Sequence, residues 1–252
     1  LISFVHPLNE KLRFFLRLSF LFQQTRHRID GTSIYDSHTT LCSLLDIINF
    51  VNQQDMKKDV LKELERISHK LTPLQDSPEI KHGTLSSILG SLEKLRTELL
   101  AINGPIAKEL RENEFLKVVQ QKANLAGGFS EFDPPLYCHW LLQPAEKRIK
   151  DLKTWLSCFD PLHSSIALIL NLIRESTTST EHIAENGNYQ QTLDPKVPYQ
   201  LLIVDLPADS PCFAEISGGK HRITIRFMDT SKGPRPVHTN ETVSFRLSCC
   251  AL

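Results

Sequence analysis

Three short motifs bring together residue types that could do chemistry. Gly218-Gly219-Lys220 has the composition of a phosphate-binding loop, Ser91-Leu92-Glu93-Lys94 matches an S-x-x-K pattern, and Cys138-His139 places a thiol beside an imidazole. Each motif lacks what its chemistry requires. The glycines are not part of a G-x-x-x-x-G-K-[ST] sequence, and the S-x-x-K serine lies in an amphipathic helical pattern without its partner motifs. Adjacent residues do not face each other on a helix, so the thiol and imidazole are expected only to pack locally.

The ten histidines and six cysteines are scattered along the chain, with no H-E-x-x-H and no C-x-x-C spacing. Zinc sites and disulfide scaffolds depend on such regular spacing. We therefore expect no metal, no cofactor, no small-molecule substrate and reduced, mostly buried thiols. The sequence predicts that the protein is not an enzyme and that it works by binding another protein.

Local basic charge is the remaining chemical feature. Lys plus Arg and Asp plus Glu both number 29, so no global charge favours nucleic acid or a membrane. Two segments are nevertheless basic. The first 28 residues contain Lys11, Arg13, Arg17, Arg26 and Arg28 against Glu10, and residues 220–235 contain Lys220, Arg222, Arg226, Lys232 and Arg235 against Asp229.

These charges have two interpretations. They form a solvated face that carboxylates elsewhere in the fold neutralise, or they form a patch that binds an acidic segment of a partner. Arg13 and Arg17 are four residues apart, where like charges on a helix cost about 0.2–0.5 kcal/mol. Helix stability therefore does not explain this pair.

Apolar periodicity indicates helices from about Leu8 to Ser176. Asn9 and Asp55 are predicted helix caps. The first helix, predicted to extend to Gln24, is apolar around most of its circumference and is expected to be largely buried, with Arg13, Arg17 and Gln24 in the remaining strip. Further helices are predicted at about 41–48, 55–71, 84–99, 105–122 with a break near 113, 145–158 and 161–176.

Strand-like alternation with Pro and Gly punctuation begins after about Tyr189. Strands are predicted at 199–206, 213–216, 222–228 and 243–249, and the apolar residues 2–5 predict another at the start of the chain. Gly218 and Gly219 are expected to allow positive φ in a hairpin turn. Residues 127–135 are predicted to form a rigid loop, and the polar segment 175–188 a loop or a partly disordered linker.

The predicted fold class is therefore α+β, with a mainly helical domain and a small antiparallel β-domain formed from both chain ends. The helical domain is predicted to span residues 8–180, and the β-domain residues 1–7 together with 188–252. A sheet with one apolar face needs a cover, which the helical domain or the N-terminal strand is expected to supply.

No apolar run approaches the roughly 20 residues that span a bilayer. The first residues also lack the order of a signal peptide. We expect a cytosolic protein without a membrane segment.

Several motifs, in a shared order, resemble one family. The run from His6-Pro7-Leu8-Asn9-Glu10 to Leu16-Arg17 resembles the start of ZapD, the Z-ring-associated protein D of bacterial cell division. The other matching residues are Leu110-Arg111-Glu112, Gly127-Gly128 with Phe132-Asp133 and Pro135, Trp155, Pro161-Leu162, Leu172-Ile173-Arg174, the segment from Ile216-Ser217-Gly218 to Ile225-Arg226-Phe227-Met228, and Cys249-Cys250. The similarity spans nearly the whole chain.

The resemblance implies a homodimer that binds the C-terminal tail of FtsZ, the tubulin-like division GTPase. Such a dimer cross-links FtsZ protofilaments into bundles and stabilises the Z-ring during septation. It implies a cytoplasmic protein that is recruited to the division site at mid-cell. A flexible tail with apolar and acidic side chains would dock weakly on a basic, partly apolar groove, and two sites on one dimer would bridge a polymer.

The basic positions of the family's motifs are matched here by Arg13, Arg17, Arg111, Lys220, Arg222 and Arg226. Arg174 is a further match with a structural interpretation. The chain differs from the family at Glu114, where a basic residue is expected, and at Cys138, where the expected histidine follows one position later as His139. A nucleic-acid-binding module that uses the same basic patches is the alternative, although neither interleaved aromatics nor a recognition helix is visible.

Overall fold

A computed structural model describes residues 1–53, 55–76, 82–123, 134–219 and 221–252. The chain forms two compact units. One contains Leu1–Phe14 and Leu170–Leu252, and the other contains Phe15–Ile169. The fold class predicted from sequence is confirmed, because strands from both chain ends build antiparallel sheets and the other unit is helical. The predicted domain boundaries, 8–180 and 1–7 with 188–252, stay a proposal.

The β-unit contains two sheets in the described part of the chain. The first has the strand order β1-β4-β8-β2 and the second the order β3-β6-β5, with β7 paired to β6. The strands are β1 Ile2–Pro7, β2 Thr180–Ala184, β3 Asn188–Thr192, β4 Tyr199–Leu206, β5 Cys212–Gly218, β6 Arg222–Asp229, β7 Val237–His238 and β8 Val243–Ala251. The predicted N-terminal strand is confirmed, since β1 pairs antiparallel with β4 and Phe4 lies opposite Val204.

The core of the β-unit lies between these two sheets. Val204 of β4 and Phe245 of β8 face inward from the first sheet, and Ile223, Ile225 and Phe227 of β6 face inward from the second. Strand alternation explains this arrangement, because every second residue of β6 is buried while its neighbours point to the other face. One face of each sheet is therefore covered by the other sheet. The sequence did not predict this packing of two sheets.

The predicted linker at 175–188 is wrong in part, because β2 occupies Thr180–Ala184 and pairs with β8 along its length. This strand lies at the edge of its sheet, and only Ala184 is fully buried. A polar edge strand obtains its order from backbone pairing, so it has little apolar alternation to detect.

The hairpin between β5 and β6 is confirmed, but its glycines act differently from the prediction. Gly218 and Gly219 are not among the residues with positive φ. A Cβ on Gly218 would instead lie 2.8 Å from Leu8 Cδ2. A larger residue at this position would require the Leu8 side chain to move.

The helices are α1 Glu10–Arg28, α2 Ile34–Gln53, α3 Met56–Leu71, α4 His82–Ala101, α5 Lys108–Glu112, α6 Glu114–Ala123, α7 Pro135–Leu141, α8 Ala145–Ser157 and α9 Asp160–Glu175. A short 3-10 helix, Thr72–Asp76, follows α3. The break predicted near Asn113 separates α5 from α6. Helix α7 was not predicted, and the predicted rigid loop at 127–135 lies outside the described residues except for Pro134 and Pro135.

The predicted caps are confirmed. Asn9 Oδ1 accepts a hydrogen bond from the Leu12 amide at 2.8 Å, and Asp55 accepts one from the Lys58 amide. Each cap satisfies an amide that has no partner within its helix, which determines where α1 and α3 begin. The core of the helical unit then forms from the apolar stripes of α1, α2, α3, α8 and α9, with Phe22, Leu44, Ile67, Leu156 and Ile166 all buried.

Helix α1 is buried along one stripe, which includes Leu12, Phe15, Leu18 and Phe22. The expectation that most of its circumference is buried is too strong. Phe14, Leu16 and Leu21 are half-buried, and Phe20 is 64% exposed in the strip that was predicted to be polar.

Within the described ranges, no single helix is long and apolar enough to cross a membrane. Helices α8 and α9 meet that test of length and composition only when they are taken together across a 63° bend.

Candidate protein-binding surfaces

Two basic residues near the end of α1, Arg26 and Arg28, are neutralised by carboxylates. Arg26 Nη2 lies 2.7 Å from Asp160 Oδ1, and Arg28 Nη1 lies 3.5 Å from Asp36 Oδ1. For these two residues the interpretation as a neutralised face is sufficient. They hold the end of α1 to other parts of the helical unit.

Arg13 and Arg17 are the two candidate site residues on α1. Arg13 Nε lies 3.1 Å from Glu10 Oε2, one turn earlier, and both side chains are well exposed, so this pair contributes little to stability. Arg17 is exposed and has no ion pair or hydrogen bond in the part of the chain that the structure describes. Its charge is therefore available to a partner.

Arg13 also acts on a neighbouring histidine. Burial lowers the pKa of His6, and the positive charge of Arg13 lowers it further. The pKa of His6 therefore lies below its ordinary value of 6.5, and its side chain is neutral at neutral pH.

Arg111, the candidate residue of α5, lines a cavity of about 420 Å³ in the helical unit. Its Nε is buried and has no hydrogen-bond partner among the residues described. Lys57, which also lines this cavity, already donates from Nζ to the Ile102 carbonyl at 2.5 Å. A buried guanidinium nitrogen without an acceptor costs stability, so the cavity can accept a carboxylate or carbonyl oxygen at Arg111.

Glu114, which differs from the family's basic pattern, is explained by local structure. It lies in the first turn of α6, where a carboxylate is favourable, and it pairs with Lys117 Nζ at 2.7 Å. Its charge is therefore compensated within one turn.

The family pattern also differs at Cys138 and His139, which lie on α7. Cys138 is half-buried and His139 is exposed, and the His139 ring contacts the Gln143 amide group.

Arg222 and Arg226 lie on the solvent face of the second sheet in the β-unit. They are the exposed neighbours of the buried Ile223 and Ile225 on β6, and their Cα atoms are about 13 Å apart at the rise of a strand. Both line an open groove of about 500 Å³. The other residues of this groove are Gln190, Glu215, Ile216, Ser217 and Thr224.

Charge in the groove is unbalanced. Glu215 is the direct cross-strand neighbour of Arg226, and Asn188 flanks Arg226 on the other side. No ion pair within 4.0 Å involves either arginine across the described chain. The groove thus presents two guanidinium groups, one carboxylate and several neutral hydrogen-bonding groups, which suits an extended acidic peptide.

Lys220, the remaining candidate, lies outside the described residues. Arg13, Arg222 and Arg226 belong to the β-unit, and Arg17 and Arg111 belong to the helical unit. Sequence reasoning missed Phe20, because an apolar residue inside an apolar helix gives no signal of its exposure.

No group of three or more His, Cys, Asp or Glu side chains that could hold a metal occurs in the described residues. Burial raises the pKa of the Cys42 thiol to about 11, and the charge of Asp46 adds to this effect. Burial likewise raises the pKa of Cys250 to about 11, which disfavours a reactive thiolate.

Comparison with known proteins identifies the family of this chain. The model of the ZapD family, described as cell division protein, matches residues 16–226. A cell division protein ZapD of Methylococcus capsulatus is 38% identical over 251 residues, which cover 100% of this chain and 98% of the relative. Those of Coxiella burnetii and Azoarcus sp. are 35% and 33% identical, over 98% and 100% of their lengths. The chain therefore belongs to the ZapD family of cell division proteins.

Proposed function

We propose that this protein binds the C-terminal tail of FtsZ and, as a homodimer, cross-links FtsZ protofilaments into bundles that stabilise the Z-ring. The observation that carries the proposal is the exposed Arg17 guanidinium, which has no carboxylate partner among the described residues although Arg26 and Arg28 of the same helix are paired. A charge that the fold leaves uncompensated is the one that an acidic partner can use.

The second support is the groove of the β-unit. Arg222 and Arg226 lie on the same face of one strand about 13 Å apart, so they match side chains four residues apart in an extended peptide. Arg111, with its buried unpartnered Nε, is a further position for an acceptor atom. Lys220 and Arg13 are the other two residues that we propose to bind the FtsZ tail.

Cross-linking requires two tail sites in one particle. Helix α4 buries Leu85, Leu92 and Leu99. Its other large apolar residues are more accessible: Leu100 is 53% exposed, and Ile88, Leu89 and Leu95 are half-buried. Apolar surface of this kind is available to a second copy. In the proposed dimer, two weak sites bridge neighbouring filaments because the second contact is intramolecular.

The protein acts in this proposal by binding alone, without catalysis or a cofactor, in the cytoplasm and at the division site at mid-cell. The test is low-speed sedimentation of polymerised FtsZ with the purified protein. We expect bundles to pellet with full-length FtsZ and not with FtsZ that lacks its C-terminal tail. A mobility-shift assay with duplex DNA is run at the same protein concentrations. A DNA shift without FtsZ bundling would establish the nucleic-acid-binding alternative.

A further inference from the structure

Phe20 is an apolar side chain on the solvent-facing stripe of α1. It is 64% exposed, whereas the apolar residues Phe15, Leu18 and Phe22 around it are completely buried. Its neighbours one turn away are Arg17, at i−3, and Gln24, at i+4, and both are exposed. The ring therefore lies in a polar strip and not at the margin of the core.

A single exposed apolar residue is normal on a protein surface and needs no explanation by itself. The position of Phe20 adds a second observation. Residues three apart on a helix have Cβ atoms about 5–6 Å from each other, so the ring lies next to the uncompensated guanidinium of Arg17. The half-buried Leu16, at i−4, extends the apolar surface on the other side of the ring.

Helix stability does not favour phenylalanine at this position. An aromatic side chain loses rotamer freedom against the preceding turn of a helix, and a straight-chain polar residue would not. A ring that is 64% exposed also gains little free energy from burial in the folded monomer. The residue is suited to a contact that forms only when a partner covers it.

We propose that Phe20 is the apolar anchor of the site in which Arg17 binds a carboxylate. The occupant is a peptide segment that carries an acidic residue next to a bulky aliphatic or aromatic residue. The carboxylate contacts Arg17, and the apolar side chain packs on Phe20 and Leu16. This inference rests on the proposed binding of the FtsZ tail and specifies which kind of residue in that tail α1 recognises.

The two contacts respond differently to salt. The contact of Arg17 is screened over about 8–10 Å at physiological ionic strength, whereas burial of Phe20 does not depend on charge. Removing Phe20 should therefore weaken binding by the same factor at low and high salt. Removing the charge of Arg17 should weaken binding mainly at low salt.

The experiment measures binding of a fluorescent FtsZ tail peptide by anisotropy at two salt concentrations. Phe20→Gln keeps a good helix former and removes the ring, and Phe20→Leu keeps an apolar side chain. Tyr35→Gln is the matched control, since Tyr35 is a 71% exposed aromatic residue on α2. We expect F20Q to bind about tenfold more weakly or worse at both salt concentrations, F20L to stay within about threefold of the parent, and Y35Q to be unchanged.

A peptide with its bulky apolar residues replaced by serine provides the second arm. It should lose affinity for the parent protein by a similar factor and lose no further affinity for F20Q, because the two changes remove the same contact. The measurement on the parent protein needs no variant to fold.

Three results would overturn the inference. F20Q could bind the peptide as the parent does, or the serine peptide could bind the parent unchanged. Sedimentation could instead show that F20Q dissociates a dimer while each protomer keeps its affinity, which would assign Phe20 to the contact between copies. If the parent protein binds no tail peptide at all, the proposed function fails as well, so the two failures are distinguishable.

Discussion

Arg148 Nε donates a hydrogen bond to Ser37 Oγ at 3.0 Å, and this contact joins α8 to the first turn of α2 inside the helical unit. The guanidinium also donates to the carbonyls of Leu141 and Thr32 at 3.0 and 2.7 Å, and to that of Gln143. A buried arginine is thus satisfied by backbone oxygens where α7 ends and before α2 begins. It holds together chain segments more than 100 residues apart in sequence.

The first prediction follows from this network. Arg148→Met should destabilise the protein by about 2–4 kcal/mol, because it removes the donor to the buried Leu141 carbonyl and to the part-buried carbonyls of Thr32 and Gln143. Urea unfolding measures the change. Lys150→Met, at an exposed position of α8, is the control and should stay within about 0.5 kcal/mol of the parent. Equal stabilities of the two variants would show that the network contributes little.

The second prediction concerns the basic strip of α1. Replacing both Arg13 and Arg17 with Glu should weaken binding of the FtsZ tail by at least about tenfold, since two attractive contacts become repulsive. Binding by the parent should also weaken as salt rises. Of the single changes, Arg17→Glu should have the larger effect, because Arg13 already pairs with Glu10. Anisotropy measures affinity, with circular dichroism and sedimentation as controls of fold and assembly. A folded double variant that still binds and bundles would move the site to Arg222 and Arg226.

The third prediction is a stable homodimer. Sedimentation equilibrium at micromolar concentration should give about twice the chain mass of 28.7 kDa. Dimerisation is expected because cross-linking needs two sites and because α4 leaves apolar side chains partly exposed. A monomer under these conditions would leave only monovalent binding and would remove the proposed bundling mechanism.

The fourth prediction concerns pH. Burial lowers the pKa of His38 and of His163, and the charge of Arg26 lowers the pKa of His163 further. Their folded-state pKa values lie below the value of 6.5 for an unfolded chain, so the unfolded state binds more protons as pH falls below it. Stability should therefore be highest above about pH 6.5 and decrease towards pH 5. Urea unfolding at several pH values tests this. His163→Gln should flatten the dependence, whereas a change at the exposed His27 should not.

Much of the fold could be predicted because local signals and tertiary structure agree. The side-chain oxygens of Asn9 and Asp55 mark helix starts without help from the rest of the chain. The alternation of Ile223, Ile225 and Phe227 marks β6 in the same way. In these segments each residue type already indicates which face is buried.

The failures have a common physical cause, which is dependence on partners distant in sequence. Strand β2 is ordered by pairing with β8, whereas its own polar residues 180–182 predict a linker. Arg148 is buried among four acceptors, of which Ser37 and Thr32 are more than 100 residues away, although an arginine in a sequence usually predicts a surface position. The exposure of Phe20 depends on which parts of the fold pack against α1. Whether a basic residue of α1 is neutralised likewise depends on carboxylates elsewhere in the chain, which pair with Arg26 and Arg28 but, among the described residues, not with Arg17.

The pairing of β1 with β4 determines when the protein can finish folding during synthesis. Phe4 and Val204 lie opposite each other but are separated by about 200 residues of chain. At roughly 5–20 residues per second, a ribosome needs about 10–40 s to supply β4 after β1 has been made. Throughout that interval β1 has no strand to pair with, while α1, which follows it directly, can already form. Strand β1 is therefore made long before the strand with which it pairs, and its apolar residues stay without that partner until β4 has been synthesised.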